Sequence, residues 1–567
     1  MPIKPGGSGC TRRELLMGGL KTFVVSSALR TLPAGALEKE APLRSVNIVN
    51  FIRAEEPREK MDLMLPLRRQ LEIIKANNLP ATWLLQYDAL VEGPFVEFLK
   101  AEMPSGHETG IWFEMNRRLC DDAGVAWRGN PQWEWDYHVP VAYVIGYTPE
   151  ERRKLADTAM STFKRIMGHT ARSIACWNLD GISIAHLADH YEVDAFANCR
   201  DQLATDGYTI WGAPIAAYYP SRNNAWSPAL ETRNQIATPM FRLLGQDPVY
   251  YYDNRLPQPD TMEPVWPSGR SEVFVDRFLN MIADGPTQSV AYAQLGQENS
   301  FGWAMMSQAY SMQMQRLSHM RQAGRLTVET MGETGRLFKQ RFRSTPTQAQ
   351  VMLEDPFDHK SPAERTVWYQ SKFFRANLHF RGDQFYLRDL HAYSDRFPQL
   401  YLNDPVRKHG IEQRMLALLD GHHWSDDAVR SGNAGRRAMG RFAAAAPDGK
   451  SIPLTMAGVP TVIETESTLQ TSVPLADGGH LVAEFGEREI EFRLTGRERP
   501  SRLALIFEWA RDRSTLQGVT ANLLSYRFRD FNYTVHIQNG SASQTLDGVT
   551  VLAKTESALR LKLAQSA

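Results

Sequence analysis

Between Val46 and Phe342, short apolar runs alternate with stretches whose apolar residues recur at helical spacing, and this alternation limits the fold more than any other feature of the chain. Val46–Phe51, Ala81–Leu85, His107–Phe113, Ser173–Cys176, Val193–Ala197, Phe241–Leu244 and Ser289–Leu295 read as strands. Met61–Ala76, Phe95–Ala101, Pro149–Met167, Ile182–Tyr191, Val273–Ala283 and Ala304–Ala323 read as the helices between them. Strands alternating with helices over this length imply an α/β fold with a parallel sheet, and its most economical closure is a (β/α) barrel of seven or eight strands. After Thr345 the texture changes to short alternating strands separated by Gly, Pro and Asp turns, which predicts a β-rich, sandwich-like C-terminal region. The expected division is an N-terminal segment 1–38, a barrel 39–345 and a β-rich region 346–567.

In a parallel barrel the carboxyl ends of the strands share one face, and chemistry gathers there. Four of these strand ends carry acids: Glu55-Glu56, Glu114, Asp180 and Glu298. Crowded carboxylates repel, so some hold a proton at neutral pH, and a protonated acid facing an ionised one is what cleavage of a glycosidic bond needs. The competing reading is that these acids are salt-bridged to Arg53, Arg58 or Arg200. The stretch Ser173–Gly212 is densest in polar and aromatic groups. Its Trp177, Asn198, Arg200, Asp201, Asp206 and Trp211 suit contacts with sugar rings and hydroxyls, as do Glu56, Trp112 and Glu114 on neighbouring strands and Asn223, Asn224 and Tyr208 nearby. Trp127, Trp133 and Trp135 in one long loop form either a stacking wall beside the site or a small core within the loop.

Composition narrows the partners. Lys+Arg and Asp+Glu are equal at 64 each with no basic block, which argues against nucleic acid or an anionic membrane. No Gly-rich phosphate loop, Cys-x-x-Cys pair or nucleophile elbow is present, and no cofactor or metal is expected. Asp420, His422, His423 and Asp426 lack the spacing of a zinc site. Beyond Cys10, the cysteines are Cys120, Cys176 and Cys199, of which Cys176 and Cys199 lie near neighbouring strand ends and are candidates to pair.

Three resemblances add to this. Thr11-Arg12-Arg13-Glu14-Leu15-Leu16, a mildly apolar run to Leu29 and the small residues of Leu32–Ala36 resemble a twin-arginine export signal, which implies a periplasmic or secreted protein with no further membrane segment. Ser105-Gly106-His107-Glu108-Thr109-Gly110 resembles the Gly-His-Glu-x-Gly strand of polysaccharide deacetylases. That family's metal histidines would fall on Trp112 and Asn116, and its paired aspartates on Glu55-Glu56, so the resemblance implies the barrel without the metal ligands. Trp177-Asn178-Leu179-Asp180 and Gln297-Glu298-Asn299-Ser300-Phe301-Gly302 are similar to the nucleophile and acid segments of retaining glycosidases on a related seven-stranded barrel, with Glu298 one residue beyond the family's acid position. The resemblance implies Glu298 as general acid and Asp180 as nucleophile, with Asp201 as its substitute. The sequence thus points to an exported hydrolase of oligo- or polysaccharides, with a deacetylase of altered ligands or a non-catalytic carbohydrate-binding protein as alternatives.

Overall fold

The computed structural model describes residues 41–205, 207–250, 261–357, 362–421, 439–445, 450–497, 501–508, 515–546, 548–555 and 558–564. The N-terminal segment 1–38 read as an export signal, with Asp206, His422, His423, Trp424 and Asp426, lies outside them.

Seven parallel strands form the N-terminal half: β1 (Leu43–Ile52), β2 (Thr82–Leu85), β3 (Glu108–Trp112), β4 (Ser173–Ala175), β5 (Ala195–Cys199), β6 (Met240–Leu243) and β7 (Val290–Leu295). They pair in the order β7-β1-β2-β3-β4-β5-β6, with registers such as Leu43 opposite Val290, Val49 opposite Thr82 and Phe196 opposite Met240. The Gly245 N–H donates to the Gln294 carbonyl at 3.0 Å, drawing the last strand toward the first free edge and nearly closing the barrel. β1 is buried along almost its whole length because both its faces are covered, one by the lumen and one by helices. Phe51, Leu84, Trp112, Ala197, Phe241 and Tyr292 form one buried cluster inside, and stacking of Phe51 on Trp112 at 3.9 Å fills the end of the barrel below the site.

The helices start where their caps dictate. Helix Pro149–Met167 begins in a complete capping box of Thr148 and Glu151 with proline in its first turn, and stops at Gly168 in the left-handed conformation. Helix Gly181–His190 begins at Asp180, whose side chain accepts the N–H groups of Ile182 and Ser183. The strand boundaries shift by a few residues from the sequence reading, and one shift bears on the site: β5 occupies 195–199, so Asn198 and Cys199 lie within a fully buried strand rather than beyond its end.

Past residue 345 the chain builds two antiparallel sheets. One contains Gln348–Met352, Glu364–Gln370, Phe374–Arg381 and Gln384–Ala392. The other contains Leu469–Pro474, His480–Phe485 and Glu489–Thr495. Rings from the two sheets meet, Tyr369 on Phe485 at 5.3 Å and Phe442 on Phe492 at 5.2 Å, which is the packing of a sandwich. This region also returns to the barrel: Ile411–Arg414 pairs in parallel with Tyr208–Trp211, and residues 41–567 cluster as a single unit.

Candidate active site

The site is organised by a cation. Arg53 follows β1 directly, and its guanidinium is buried. Nη2 donates to Glu114 Oε2 at 2.8 Å, while Nη1 donates to Glu298 and, at 3.0 Å, to Ser300 Oγ. The Trp135 ring covers the guanidinium at 4.3 Å. Its backbone is fixed as well, because the Asn299 side chain accepts the Arg53 N–H at 2.9 Å and returns a hydrogen bond to the Arg53 carbonyl at 2.8 Å. Burial opposes the charge, but Glu114 and Glu298 outweigh it and hold the guanidinium protonated.

Glu114 and Glu298 come from opposite sides of this arginine. Glu114 lies two residues beyond Trp112, the last residue of β3, and its Oε2 also accepts the Trp112 indole N–H at 2.9 Å. Glu298 lies three residues beyond β7, past a backbone turn at Gly296. There φ is +120°, and any Cβ would stand 2.1 Å from the Val49 carbonyl, so only glycine allows the turn that delivers Glu298. Burial is the largest influence on Glu298. Arg53 pulls its pKa down, Glu114, Glu56 and Glu263 push it up, and the outcome is a carboxyl raised to about 7.

Around these groups is a cavity of about 80 Å³ on the carboxyl face of the strands. Trp135, Tyr137, Tyr143, Trp177, Tyr208 and Trp266 contribute to its wall, together with Arg58, Arg200 and Glu263. Glu263 is held by Thr261 Oγ1 at 3.0 Å and Trp266 Nε1 at 3.1 Å and stands 3.6 Å from the Arg200 guanidinium. Glu263, Trp266 and Tyr137 were not anticipated from sequence, because they sit in loops with no periodicity to mark them.

The other sequence candidates divide plainly. Arg200 and Trp177 line the cavity with Glu114 and Glu298. Glu56 stands behind Arg58, accepting its Nε at 2.7 Å, and acts on Glu298 only as a nearby charge. Asp180 is a structural cap: it is fully buried, ion-paired with Arg152 at 3.0 Å, and does not line the cavity. Asp201 also faces away. Arg375 at 2.7 Å, Arg242 at 3.0 Å and the Gly212 N–H at 3.1 Å hold it; burial opposes its charge, but the two arginines prevail and keep it ionised. It lines a separate internal cavity of about 30 Å³. Asn198 accepts the Leu179 N–H at 2.7 Å inside the barrel wall, and Trp211 is buried with its ring 5.6 Å from Arg375, so neither meets a ligand in the cavity. Trp112 is the stacked floor beneath Glu114 rather than a contact surface. Asn223 and Asn224 donate to the Asp395 and Phe397 carbonyls, and Tyr208 lines the cavity. Cys120, Cys176 and Cys199 are buried free thiols, so the proposed pairing of the last two does not occur. Asp206 lies outside the described residues.

The metal of a deacetylase does not fit these residues. Trp112 is stacked, Asn116 caps a helix by accepting the Leu119 N–H at 2.9 Å, and Glu56 is occupied by Arg58. His107 precedes β3, at the opposite end of the strand from Glu114, and accepts the Trp83 indole N–H at 3.1 Å. Among the described residues no three His, Cys, Asp or Glu side chains converge as a ligand set. Where a divalent ion would need carboxylates and imidazoles, Glu114 and Glu298 instead meet a guanidinium.

No protein-family model matches the sequence, and no curated protein does. Solved structures do match. A candidate glycoside hydrolase/deacetylase from Parabacteroides distasonis aligns over 66% of this chain and 91% of its own, with a TM-score of 0.50 and 15% identity. The chain has this fold. A candidate polysaccharide deacetylase from Mycobacterium smegmatis aligns over 54% of this chain and 94% of its own at 10% identity, with a TM-score of 0.34. A CE4 family pseudoenzyme from Bacillus anthracis aligns over 52% of this chain and 66% of its own at 10% identity, with a TM-score of 0.26.

Proposed function

We propose that the protein is a glycan-active hydrolase in which Glu298 donates a proton to the leaving oxygen of a glycosidic bond and Glu114 is the opposing carboxylate. The observation that carries this reading is the pair itself: Glu298, with its pKa raised to about 7, and Glu114, gripped by two N–H donors, meet at one aromatic-walled cavity on the strands' carboxyl face. A buried acid that keeps its proton near neutrality is suited to protonating a leaving group, and an ionised partner stabilises the oxocarbenium-like charge or activates water. Arg53 positions both carboxylates and keeps their charges from repelling each other, while Trp177, Trp266 and the tyrosines supply flat apolar faces for a sugar ring.

One observation favours a second reading. Because Arg53 pairs with both acids, the site also suits a protein that holds a glycan without cleaving it. The deciding experiment is turnover of natural glycans and aryl glycosides by wild-type protein and by Glu298→Gln and Glu114→Gln. Loss of at least about 10²-fold in kcat in either folded variant supports hydrolysis. Sugar binding without turnover in the wild type assigns the carbohydrate-binding role. We further propose export, supported by Arg12-Arg13 and the apolar run that follows, and tested by fractionating cells with and without Arg12→Lys, Arg13→Lys.

A further inference from the structure

The cavity is small for the chemistry assigned to it. At about 80 Å³ it is well below the ~300–1,000 Å³ that enclose a drug-sized ligand, so a glycan longer than one unit must lie largely outside. Its aromatic wall continues onto the surface. Tyr137, at the cavity, stacks on His138 at 4.5 Å with the rings 24° apart, Trp133 lies 6.3 Å beyond Tyr137, and His409 meets His138 at 4.7 Å and Tyr137 at 6.2 Å. Trp133, Tyr137 and His138 are partly exposed and His409 is exposed.

These rings are held in place. Asp136 binds the His138 ring at 2.6 Å and the Asn130 N–H at 3.0 Å, fixing the loop on both sides. The Val139 N–H donates to His409 Nδ1 at 3.3 Å, and Gly207, with φ at +79°, leaves room for the His409 ring where any Cβ would come within 2.2 Å of it. Arg58 joins cavity to surface, its guanidinium 5.2 Å from the Trp135 ring and 5.3 Å from the Tyr137 ring. The patch therefore offers preorganised apolar faces edged by a phenol, imidazoles and a guanidinium. A pyranose has the matching pattern, with C–H faces and hydroxyl edges.

We propose that Trp133, Tyr137, His138 and His409 form an outer sugar subsite, so that the substrate is an extended oligo- or polysaccharide of which one unit enters the cavity. This rests on the hydrolase reading above. It also gives the β-rich region a direct part in substrate contact, because His409 belongs to that region while the other three residues belong to the barrel loop.

The test uses the full-length protein and ladders of chito-, xylo- and gluco-oligosaccharides from dimer to hexamer, with affinity read by calorimetry and turnover read on the aryl glycoside of the same sugar. Wild-type affinity should rise with chain length. Trp133→Ala and His409→Ala should each weaken the longest ligands by roughly 10-fold, within the range of lost aromatic contacts. Both should leave kcat and KM on the aryl monoglycoside unchanged, and Trp133→Phe should keep the length dependence, separating lost stacking from misfolding. If wild-type affinity ignores length, or the variants weaken short and long ligands alike, the outer subsite is overturned while the hydrolase reading stands. If no sugar of any length binds or is cleaved by the wild type, the hydrolase reading itself has failed.

Discussion

The indole of Trp112 donates to the carboxylate of Glu114, two residues further along the chain, at 2.9 Å, and so a buried core side chain orients an acid at the cavity above it. The same ring stacks on Phe51. Trp112→Phe keeps much of the stacking surface and removes the donor, at the cost of a small cavity beneath Glu114. We expect the protein to fold, with kcat lower by about 10-fold and KM little changed, as for a positioning residue whose loss lets the carboxylate drift. A change confined to KM would place Trp112 in binding instead.

Activity should fall as pH rises through about 7, where Glu298 loses its proton. Stability should move in the same direction. Glu298, Asp88 and Asp389, each raised to about 7, mainly by burial, lose their protons near pH 4 to 5 in the unfolded chain and near 7 in the fold. For every one of these groups the folded pKa lies above the unfolded one, so its contribution is complete below the unfolded pKa and is lost progressively as pH rises to the folded one, about 7 for the carboxyls. Thermal melts at pH 5.5 and 8.5 check this, and a higher melting temperature at pH 8.5 contradicts it.

Asp180→Asn should damage the fold and spare the chemistry. It leaves Arg152 buried without its anion, a change that costs about 3–5 kcal/mol when one partner of a buried pair is removed. Denaturant unfolding measures that loss. Turnover per folded molecule should stay within a few-fold of wild type, and a selective loss of kcat in the folded fraction would return Asp180 to the mechanism.

Arg53→Gln should raise the pH at which activity falls, because Arg53 pulls the pKa of Glu298 down. It should also destabilise the protein, since Glu114 and Glu298 then face each other without a cation. Wild-type activity should survive exhaustive dialysis against a chelator, because the cation at the site is part of the chain. Loss of turnover that zinc restores would contradict the assignment.

The barrel class and the change of architecture after residue 345 were legible because buried strands leave short apolar runs, and those runs survive any detail of packing. Glu298 was legible for a similar reason, standing just past such a run. Asp180 reads two ways because an acid after a strand is also the start of a helix, and Asp180-Gly181-Ile182-Ser183 is an N-cap followed by an amphipathic turn. Asp201 was misplaced because its partner Arg375 lies in the other region of the chain. Pairing of the strand-end acids with Arg53 was legible as one of the two readings, but its place at the centre of the site exists only once β1 lies between the strands that carry Glu114 and Glu298.

The pairing of Ile411–Arg414 with Tyr208–Trp211 also sets a timetable. Tyr208 is part of the cavity wall, yet the strand that steadies it is made only after the whole barrel has been synthesised. Until then Tyr208–Trp211 presents an open edge, which invites pairing with other chains. A fragment cut at Thr345 would keep that edge permanently exposed and lack one wall support of its cavity. The site is therefore among the last parts of the molecule to mature, and the β-rich region acts on it as an intramolecular assembly factor.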